Sequence, residues 1–395
     1  MKHLLRLACL CIVFALIAAL NCSALSATAS PMPAKERFSD LANWQGDLDP
    51  DTPITEVNTP GTHDSAMFGI GSGIFEGFGF AHNQDLTFEQ QLNIGVRYID
   101  GRFCYEDEEN ADETENIFCC HGGYIPEMDD KDISLKDLLR ELNKFLDKHP
   151  TEYIFLPYKC ESEEDMKSGE LNALLTSIFT GLVEGNRERY MMAYPGNTVP
   201  TVEEAKGHII FTINNNSGIF CDSNCIANTY SSGTDEKVKE LSVAFENVRE
   251  LSKNQRTYSY NWETMEKSER VPRLIHTSCY QAPFRTPART SADIHEWILG
   301  KVEKLDGVEP PTFRAGYYYG IVLFDYVKED ECRLIVDLNK TDSSLPLVNG
   351  TVPATATIIG DSENWIGMII VAVVFVALVA LAIVLPLQRK RTRNG

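Results

Sequence analysis

The chain has 395 residues, 57 Asp plus Glu against 36 Lys plus Arg, a formal net charge of −21 and 43% hydrophobic residues. This mix excludes a disordered tail protein, a collagen-like repeat and a polytopic transporter. Its acidity excludes a duplex-wide nucleic-acid binder, which needs a basic face to release counterions, although a few local Arg or Lys can still attract a single anionic ligand.

Lys2 and Arg6 precede an apolar run from Leu7 to Leu20, and small residues follow as far as Ala29. A basic start, an apolar middle and the A-x-A-like Ala27-Thr28-Ala29 predict a secretory signal peptide over 1–29, with an uncleaved signal anchor as the rival reading. The globular part is expected over 38–337.

Within it, apolar runs stop at polar or titratable residues. Ile54 to Val57 leads into Asn58-Thr59-Pro60-Gly61-Thr62-His63-Asp64-Ser65. Gly69 to Phe80 then interleaves glycines with Ile70, Ile74, Phe75, Phe78 and Phe80. It lacks the strand–helix context of a phosphate-binding glycine loop. Phe88 to Ile94 reads as a helix, and Gly95 to Ile99 as a strand leading into Asp100-Gly101-Arg102. Asn116 to Cys120 leads into His121-Gly122-Gly123.

Ser134 to His149 is the clearest helix. Ser134 and Asp137 form a capping box, Leu135, Leu138, Leu139, Leu142, Phe145 and Leu146 recur at helical spacing, and Pro150 stops it. Tyr153 to Leu156 leads into Tyr158-Lys159-Cys160-Glu161, and His208 to Ile213 into Asn214. Asp235 to Lys253 reads as an amphipathic helix. Arg273 to Ile275 leads into His276, and Gly320 to Phe324 into Asp325. Short buried strands alternating with helices predict an α/β fold with a parallel sheet, and about seven of them in one domain predict a (β/α) TIM-like barrel. Functional groups in such barrels gather at the carboxyl ends of the strands.

Beyond the barrel, 338–364 turns to Thr, Ser, Pro, Gly and Asn and reads as a stalk. Asn339 and Asn349 in it, with Asn215 earlier, open glycosylation sequons. Trp365 to Leu387 carries no charge and is followed by Arg389, Lys390, Arg391 and Arg393. At ~1.5 Å per residue this stretch is long enough for a ~30 Å hydrocarbon core. It predicts one C-terminal transmembrane helix over 365–387 and a basic cytoplasmic tail over 388–395, hence a single-pass type I membrane protein. The single ectodomain would be extracellular or in the secretory-pathway lumen. A glycolipid-anchor signal would end in the hydrophobic tail rather than in a basic stub.

Of 11 cysteines, Cys9, Cys11 and Cys22 fall in the signal segment and eight remain. An even number in an exported domain favours disulfides, with Cys221–Cys225 and Cys104–Cys119 as the expected pairs. Zinc is the rival reading, but no CxxC pair exists.

His63, His121 and Arg102, with Asp100 and Asp325 at neighbouring strand ends, form the minimum set for acid–base cleavage of a phosphodiester. One imidazole takes a proton from a hydroxyl, the other gives one to the leaving oxygen, and a guanidinium neutralises phosphoryl charge. A carboxylate beside the base fixes its tautomer. A metal held by His63, Asp64 and His121 is the competing reading; Arg102 would repel the cation, so no metal or cofactor is expected.

Thr59-Pro60-Gly61-Thr62-His63-Asp64-Ser65, Ile99-Asp100-Gly101-Arg102, His121-Gly122, Lys159-Cys160-Glu161 and Val322-Leu323-Phe324-Asp325-Tyr326 together resemble the phosphatidylinositol-specific phospholipase C X-domain family, in its bacterial-type single-domain branch. The similarity runs from about Leu41 to Val327 and includes the lead-in Asn43-Trp44. It implies a TIM-like barrel that cleaves an inositol phospholipid at a membrane, giving diacylglycerol and inositol 1,2-cyclic phosphate. On this resemblance His63 is the general base, Asp325 its carboxylate partner and His121 the general acid supported by Asp64. Arg102 stabilises the phosphoryl charge and Asp100 positions its neighbours. In the calcium-dependent branch an acidic metal ligand stands at the place of Arg102, so the resemblance implies metal independence.

Lys159 and Tyr230 match substrate-contacting residues of the family. Asn214 stands where the family has a basic residue and Asn228 where it has an inositol-contacting Asp. These departures leave the headgroup open between phosphatidylinositol and a glycosyl-phosphatidylinositol. Phe78 and Phe80 would dip into the bilayer as the corresponding rim does in the bacterial relatives, or else cover the core. Two other readings compete: a catalytically silent surface binding protein that kept the barrel, and a glycerophosphodiesterase-like barrel, whose metal-binding carboxylate set is not visible.

Overall fold

Local chemistry starts the helices where the periodicity places them. Thr87 and Gln90 exchange side chain–backbone hydrogen bonds, as do Ser134 and Asp137, and each reciprocal pair satisfies amides that a helix start leaves orphaned. The computed structural model describes residues 38–70, 81–106, 110–161, 168–192, 200–213, 225–227, 233–253, 274–279, 286–313 and 318–339. Its helices are α1 (Phe88–Asn93), α2 (Leu135–Lys148), α3 (Ser168–Gly185), α4 (Val202–Ala205), α5 (Gly233–Lys253), α6 (Pro287–Ile298) and α7 (Glu329–Asp337). The strands are β1 (Thr59–Thr62), β2 (Tyr98–Ile99), β3 (Gly101–Tyr105), β4 (Ile117–Cys119), β5 (Glu127–Met128), β6 (Lys131–Asp132), β7 (Ile154–Cys160), β8 (Tyr190–Met192), β9 (Ile209–Ile213), β10 (Cys225–Ala227), β11 (Leu274–His276) and β12 (Ile321–Phe324).

The wall is parallel. β10, β11, β12, β1, β2, β7, β9 and β8 follow one another in that order, each paired in parallel with the next. The last strand therefore meets the first, with Thr59 opposite Ile321 and Thr62 opposite Phe324. A parallel barrel pairs its first and last strands in this way. Among the described residues no pairing joins β8 to β10.

Side chains alternate across the wall, as the two-residue period of a strand requires. Tyr98, Phe155, Ile210, Leu274, Ile321 and Leu323 form one buried cluster with Trp44, Ile54 and Val57. Their neighbours Ile99, Ile154, Leu156, Ile209, Ile275, Val322 and Phe324 belong to a second, larger cluster with Leu138 and Leu142 of α2 and Trp297 of α6. The first set fills the barrel and the second binds the helices to its outside. Gly61 shows how tight the wall is: a Cβ there would lie 2.4 Å from Leu323 Cδ2 and 2.9 Å from Tyr98 Cβ. Pro60 is tolerated in a central strand because β2 pairs only with Gly61 and Thr62, so no ladder partner needs its missing N–H.

The amino ends of the strands are sealed by a buried charge. Arg97 donates from Nε and Nη2 to Glu152 at 2.9 and 2.8 Å, and to the carbonyls of Leu92, Val96, Leu41 and Ala42. Glu152 also accepts from the amides of Gln45 and Gly46. The seven-residue 3₁₀ segment Leu41–Asp47 is thereby tied beneath the barrel, with Trp44 fully buried and its Nε1 donating to the Gly95 carbonyl at 3.0 Å.

Four expectations are corrected. Ile54–Glu56 is a 3₁₀ turn, and the strand lies later, in the Thr-Pro-Gly-Thr segment itself. β4 pairs antiparallel with β3 and is a hairpin arm, not a parallel wall strand. Cys104, Cys119, Cys120, Cys160, Cys279 and Cys332 are all free thiols, and the expected Cys104–Cys119 pair is excluded by register: Cys104 faces Phe118 while Cys119 faces Phe103. Alternation then sends the two thiols to opposite faces; Cys221 of the other expected pair lies outside the described residues. The single-pass type I membrane localisation is withdrawn as well: among the described residues no helix is long and apolar enough to cross a membrane. The 1–29, 340–364, 365–387 and 388–395 segments lie outside those residues.

Candidate active site

The strand ends converge. His63 and Asp64 follow β1, Asp100 sits between β2 and β3, Arg102 is the second residue of β3, and Asp325 follows β12. Because β1 lies between β12 and β2, these groups meet at one mouth of the barrel. His121 arrives from β4. Its turn closes through the His121 and Tyr124 backbones, which exchange hydrogen bonds at 2.9 and 3.0 Å. Gly122 and Gly123 both have positive φ, +55° and +90°, the pattern of a tight hairpin turn that only small residues enter without strain.

Asp64 stands at the centre. Its Oδ2 lies 3.2 Å from His63 Nε2 and 3.4 Å from His121 Nδ1, and its Oδ1 lies 2.7 Å from Arg102 Nε. The two imidazole rings are 6.5 Å apart, centre to centre. Asp64 is itself left-handed, with φ +46°, a conformation that costs a non-glycine residue and is held here because its amide donates to Asp100 Oδ2 at 3.1 Å. On the far side, His63 Nδ1 is 2.8 Å from Asp325 Oδ1, and Asn83 Nδ2 donates to that same oxygen at 3.3 Å. Gln84 Nε2 donates to the carbonyls of both His63 and Phe324, stitching β1 to β12 just below the site.

Arg102 is held by three carboxylates. Nε also donates to Asp100 Oδ2 at 3.1 Å, and Nη1 donates to Glu161 Oε1 at 2.9 Å. Lys159 Nζ lies 3.5 Å from the same Glu161 oxygen. The Asp100 amide donates to Ser65 Oγ at 2.8 Å, while Thr62 and Gln91 hold Ser65 in turn.

Burial alone would push the His63 imidazole down, but the adjacent Asp64 and Asp325 carboxylates outweigh it and raise its pKa. Burial likewise opposes charge on Asp100, yet Arg102 and His63 overcome it and hold the carboxyl below the usual range. His276, at the end of β11, packs edge-on to His63 with ring centres 5.4 Å apart. Burial and the neighbouring His63 push it well below an ordinary imidazole.

His63, Asp64 and Asp100 place ligand atoms within 4.8 Å of one another, close enough to be tested as a metal site. The fit is poor. Arg102 Nε contacts both carboxylates, at 2.7 and 3.1 Å, and occupies with fixed positive charge the space a cation needs.

The structure thus brings together His63, Asp64, Asp100, Arg102, His121 and Asp325, with Lys159 at the edge. Asn214, Asn228, Tyr230, Phe78 and Phe80 lie outside the described residues. Sequence reasoning missed Glu161 as a partner of Arg102, though it closes a strand-end motif. It marked His276 as a strand-end residue without giving it a place in the site, and it missed Asn83 and Gln84, which no local pattern marks.

The PI-PLC X family model (PI-PLC X 1) matches residues 51–170, which contain every one of these groups up to Glu161. That stretch, a little under a third of the chain, is what resembles the PI-PLC X domain family, and curated relatives with the same domain are similar to it. The chain is 28% identical over 195 residues to the 1-phosphatidylinositol phosphodiesterase of Staphylococcus aureus strain Newman, covering 47% of this chain and 55% of that protein. To PI-PLC X domain-containing protein 2 of Homo sapiens it is 27% identical over 155 residues, covering 33% of this chain and 48% of the human protein. The chain spans about half the length of the curated relatives it matches.

Among solved structures, the phosphatidylinositol-specific phospholipase C of Listeria monocytogenes superposes with a TM-score of 0.50 at 21% identity, over 76% of this chain and 99% of that one. A Staphylococcus aureus phosphatidylinositol-specific phospholipase C, studied for its membrane binding, gives 0.55 at 19% identity, over 77% and 99%. At these identities the superpositions establish a shared α/β fold.

Proposed function

We propose that this protein is a phosphodiesterase that cleaves an inositol phospholipid, phosphatidylinositol or a glycosylated form of it, without a metal ion. The observation that carries this reading is the grouping of His63, His121 and Arg102 around the single carboxylate of Asp64. Two imidazoles separated by a few ångström, with a guanidinium between their strands, can serve both oxygens of one phosphodiester. The similarity to proteins named 1-phosphatidylinositol phosphodiesterase supports the substrate class.

In this reading His63, its Nδ1 held by Asp325, takes the proton of the inositol 2-hydroxyl at Nε2. The hydroxyl oxygen bonds to phosphorus, the bond from phosphorus to the diacylglycerol oxygen breaks, and His121 protonates the departing oxygen. Arg102, oriented by Asp100 and Glu161, neutralises charge on the phosphoryl oxygens. The products are inositol 1,2-cyclic phosphate and diacylglycerol. A hydroxyl of the same molecule outcompetes water because its attack carries a large effective molarity. Lys159, Tyr230, Asn228 and Asn214 are the proposed headgroup contacts, and Phe78 and Phe80 the proposed membrane contacts.

The test is incubation of the protein with mixed phospholipid vesicles containing phosphatidylinositol, chelator present, with assay for diacylglycerol and cyclic inositol phosphate. Both products are expected, and His63→Ala should abolish them. Vesicle binding without either product would replace this reading with that of a silent binding protein.

A further inference from the structure

The β3–β4 hairpin carries two cysteines on one face. Cys104 is in register with Phe118, Phe103 with Cys119, and the Cys120 amide donates to the Arg102 carbonyl at 2.9 Å. Alternation along the strands puts Cys104, Phe118 and Cys120 on the same side and Cys119 on the other. Packing agrees: Cys104, Phe118 and Cys120 form their own buried cluster with Ile125 against it, whereas Cys119 belongs to the main core. The Cys104 thiol donates to the Phe118 carbonyl at 3.8 Å, and the Cys120 thiol is hydrogen-bonded to Cys104. Cys160, the nearest alternative along β7, has its thiol turned to Asn172 Oδ1 at 3.2 Å.

Both groups are thiols in this structure. We propose that Cys104 and Cys120 are a disulfide site, closed under oxidising conditions, and that the bond clips together the two strands that carry Arg102 and His121. Arg102 lies two residues before Cys104, and His121 directly follows Cys120. Cys104 and Cys120 are diagonal neighbours on a twisted antiparallel pair, where Cβ atoms approach more closely than Cα atoms, and their side chains share one buried cluster. The consequence is local. Among the described residues β4 is a three-residue arm whose ladder partner is β3, with one further bridge from Phe118 to Ser134; His121 follows its end, so a covalent tie at Cys120 fixes the imidazole relative to Arg102.

The chemistry balances with a glutathione-type disulfide as oxidant. One protein thiolate attacks it and releases one glutathione thiol; the second thiolate attacks the mixed disulfide and releases the other. Two electrons pass from the protein sulfurs to the glutathione sulfurs, and the two thiol protons end on the released glutathiones. The hydrogen bond to Cys104 and burial push the Cys120 thiol far up. The folded dithiol therefore exchanges slowly, and the bond forms before this cluster closes.

The experiment is refolding of the full-length protein in a glutathione and glutathione-disulfide buffer, alkylation without reduction, proteolysis and mass spectrometry. The expected result is a peptide pair joined through Cys104 and Cys120, two hydrogens lighter than its parts, with Cys119 alkylated. Alkylation of both Cys104 and Cys120, or linkage through Cys119, overturns the proposal. In the same preparation, reduction should raise amide hydrogen exchange in β4 several-fold over the oxidised form. Unchanged exchange with an established bond overturns the clip. Neither readout depends on activity, so the proposal and the phosphodiesterase reading can fail separately.

Discussion

His63 and Asp325 stand 262 positions apart in the chain and 2.8 Å apart in space. Their meeting follows from the pairing of the first wall strand with the last: His63 is the residue after β1, Asp325 the residue after β12, and the His63 amide itself donates to the Phe324 carbonyl at 3.0 Å. The backbone ladder thus sets the distance between an imidazole and the carboxylate that orients it. With Asp64 on the other nitrogen, the ring is charged over a wider pH range than an ordinary imidazole.

That arrangement predicts the pH profile. A base must be neutral, so kcat/KM should rise only as pH climbs through the raised pKa of His63, placing the acid limb above ~6.5. Asp325→Asn removes one of the two carboxylates that raise it and leaves a neutral side chain against Nδ1. The acid limb should move to lower pH, and activity should fall by roughly 10²–10⁴-fold through loss of the oriented tautomer. The same pKa carries a stability sign. His63 stabilises the fold below the unfolded imidazole value, and that contribution disappears as pH rises through the higher folded value. A limb that stays in place in the Asn variant contradicts the assignment of His63 as base.

Arg102 offers a different signature. Its Nε faces Asp64 and Asp100 while its Nη1 faces Glu161, a fork that a lysine ammonium cannot reproduce. Arg102→Lys keeps the charge and loses the geometry. The expected outcome is a drop in kcat of about 10²–10³-fold with KM little changed, because charge on the phosphoryl oxygens grows toward the transition state. A pure KM effect would instead make Arg102 a ground-state anchor.

His121 is the more exposed imidazole, at 28% of its side-chain surface against 5% for His63, as suits a group that meets a departing alcohol. If it protonates that oxygen, His121→Ala should cost far less on a substrate with a good leaving group, such as a nitrophenol, than on the lipid. An expected ratio on the order of 10²-fold between the two losses follows from the usual size of general-acid contributions. Equal losses would assign His121 a binding role.

Metal dependence is decided by where Arg102 sits. Its contacts with the two carboxylates of the candidate cation cluster predict that activity survives chelator unchanged and that added calcium gives no activation. A loss of activity on chelation, restored by calcium, would show that the guanidinium moves aside for a cation.

How much of this was readable in the chain depends on how far each relationship reaches. Polar residues closing apolar runs marked His63, Asp100, Lys159, His276 and Asp325 as strand-end groups, because a buried strand can place such a residue only at its mouth. The capping box at Ser134 is written within four residues and was equally legible; the one at Thr87 went unread although it has the same form. The direction of β4 was not, since an apolar triplet reads the same in a parallel or an antiparallel partner. The cysteine pairing failed for the same reason: it depends on register, which shifts every side chain to the opposite face with a slip of one residue. Gln84 was invisible because its task, bonding the His63 and Phe324 carbonyls together, exists only once β1 and β12 are side by side.

The opposite end of the barrel gives the stability prediction. Arg97 and Glu152 are fully buried, and the pair draws in four main-chain carbonyls and two amides that tie the Leu41–Asp47 segment beneath the strands. Arg97 also lies 4.7 Å over the Phe145 ring of α2, so it links three layers. Glu152→Gln leaves a buried guanidinium without its counter-charge and should cost roughly 3–5 kcal/mol, a Tm drop on the order of 10 °C for a domain of this size. Arg97→Met combined with Glu152→Gln removes both charges together and should be milder than the two single losses added, because neither partner is then left buried and uncompensated. Thermal unfolding of the three variants measures the coupling. Strict additivity would mean that the carbonyl contacts, and not the ion pair, hold the segment in place.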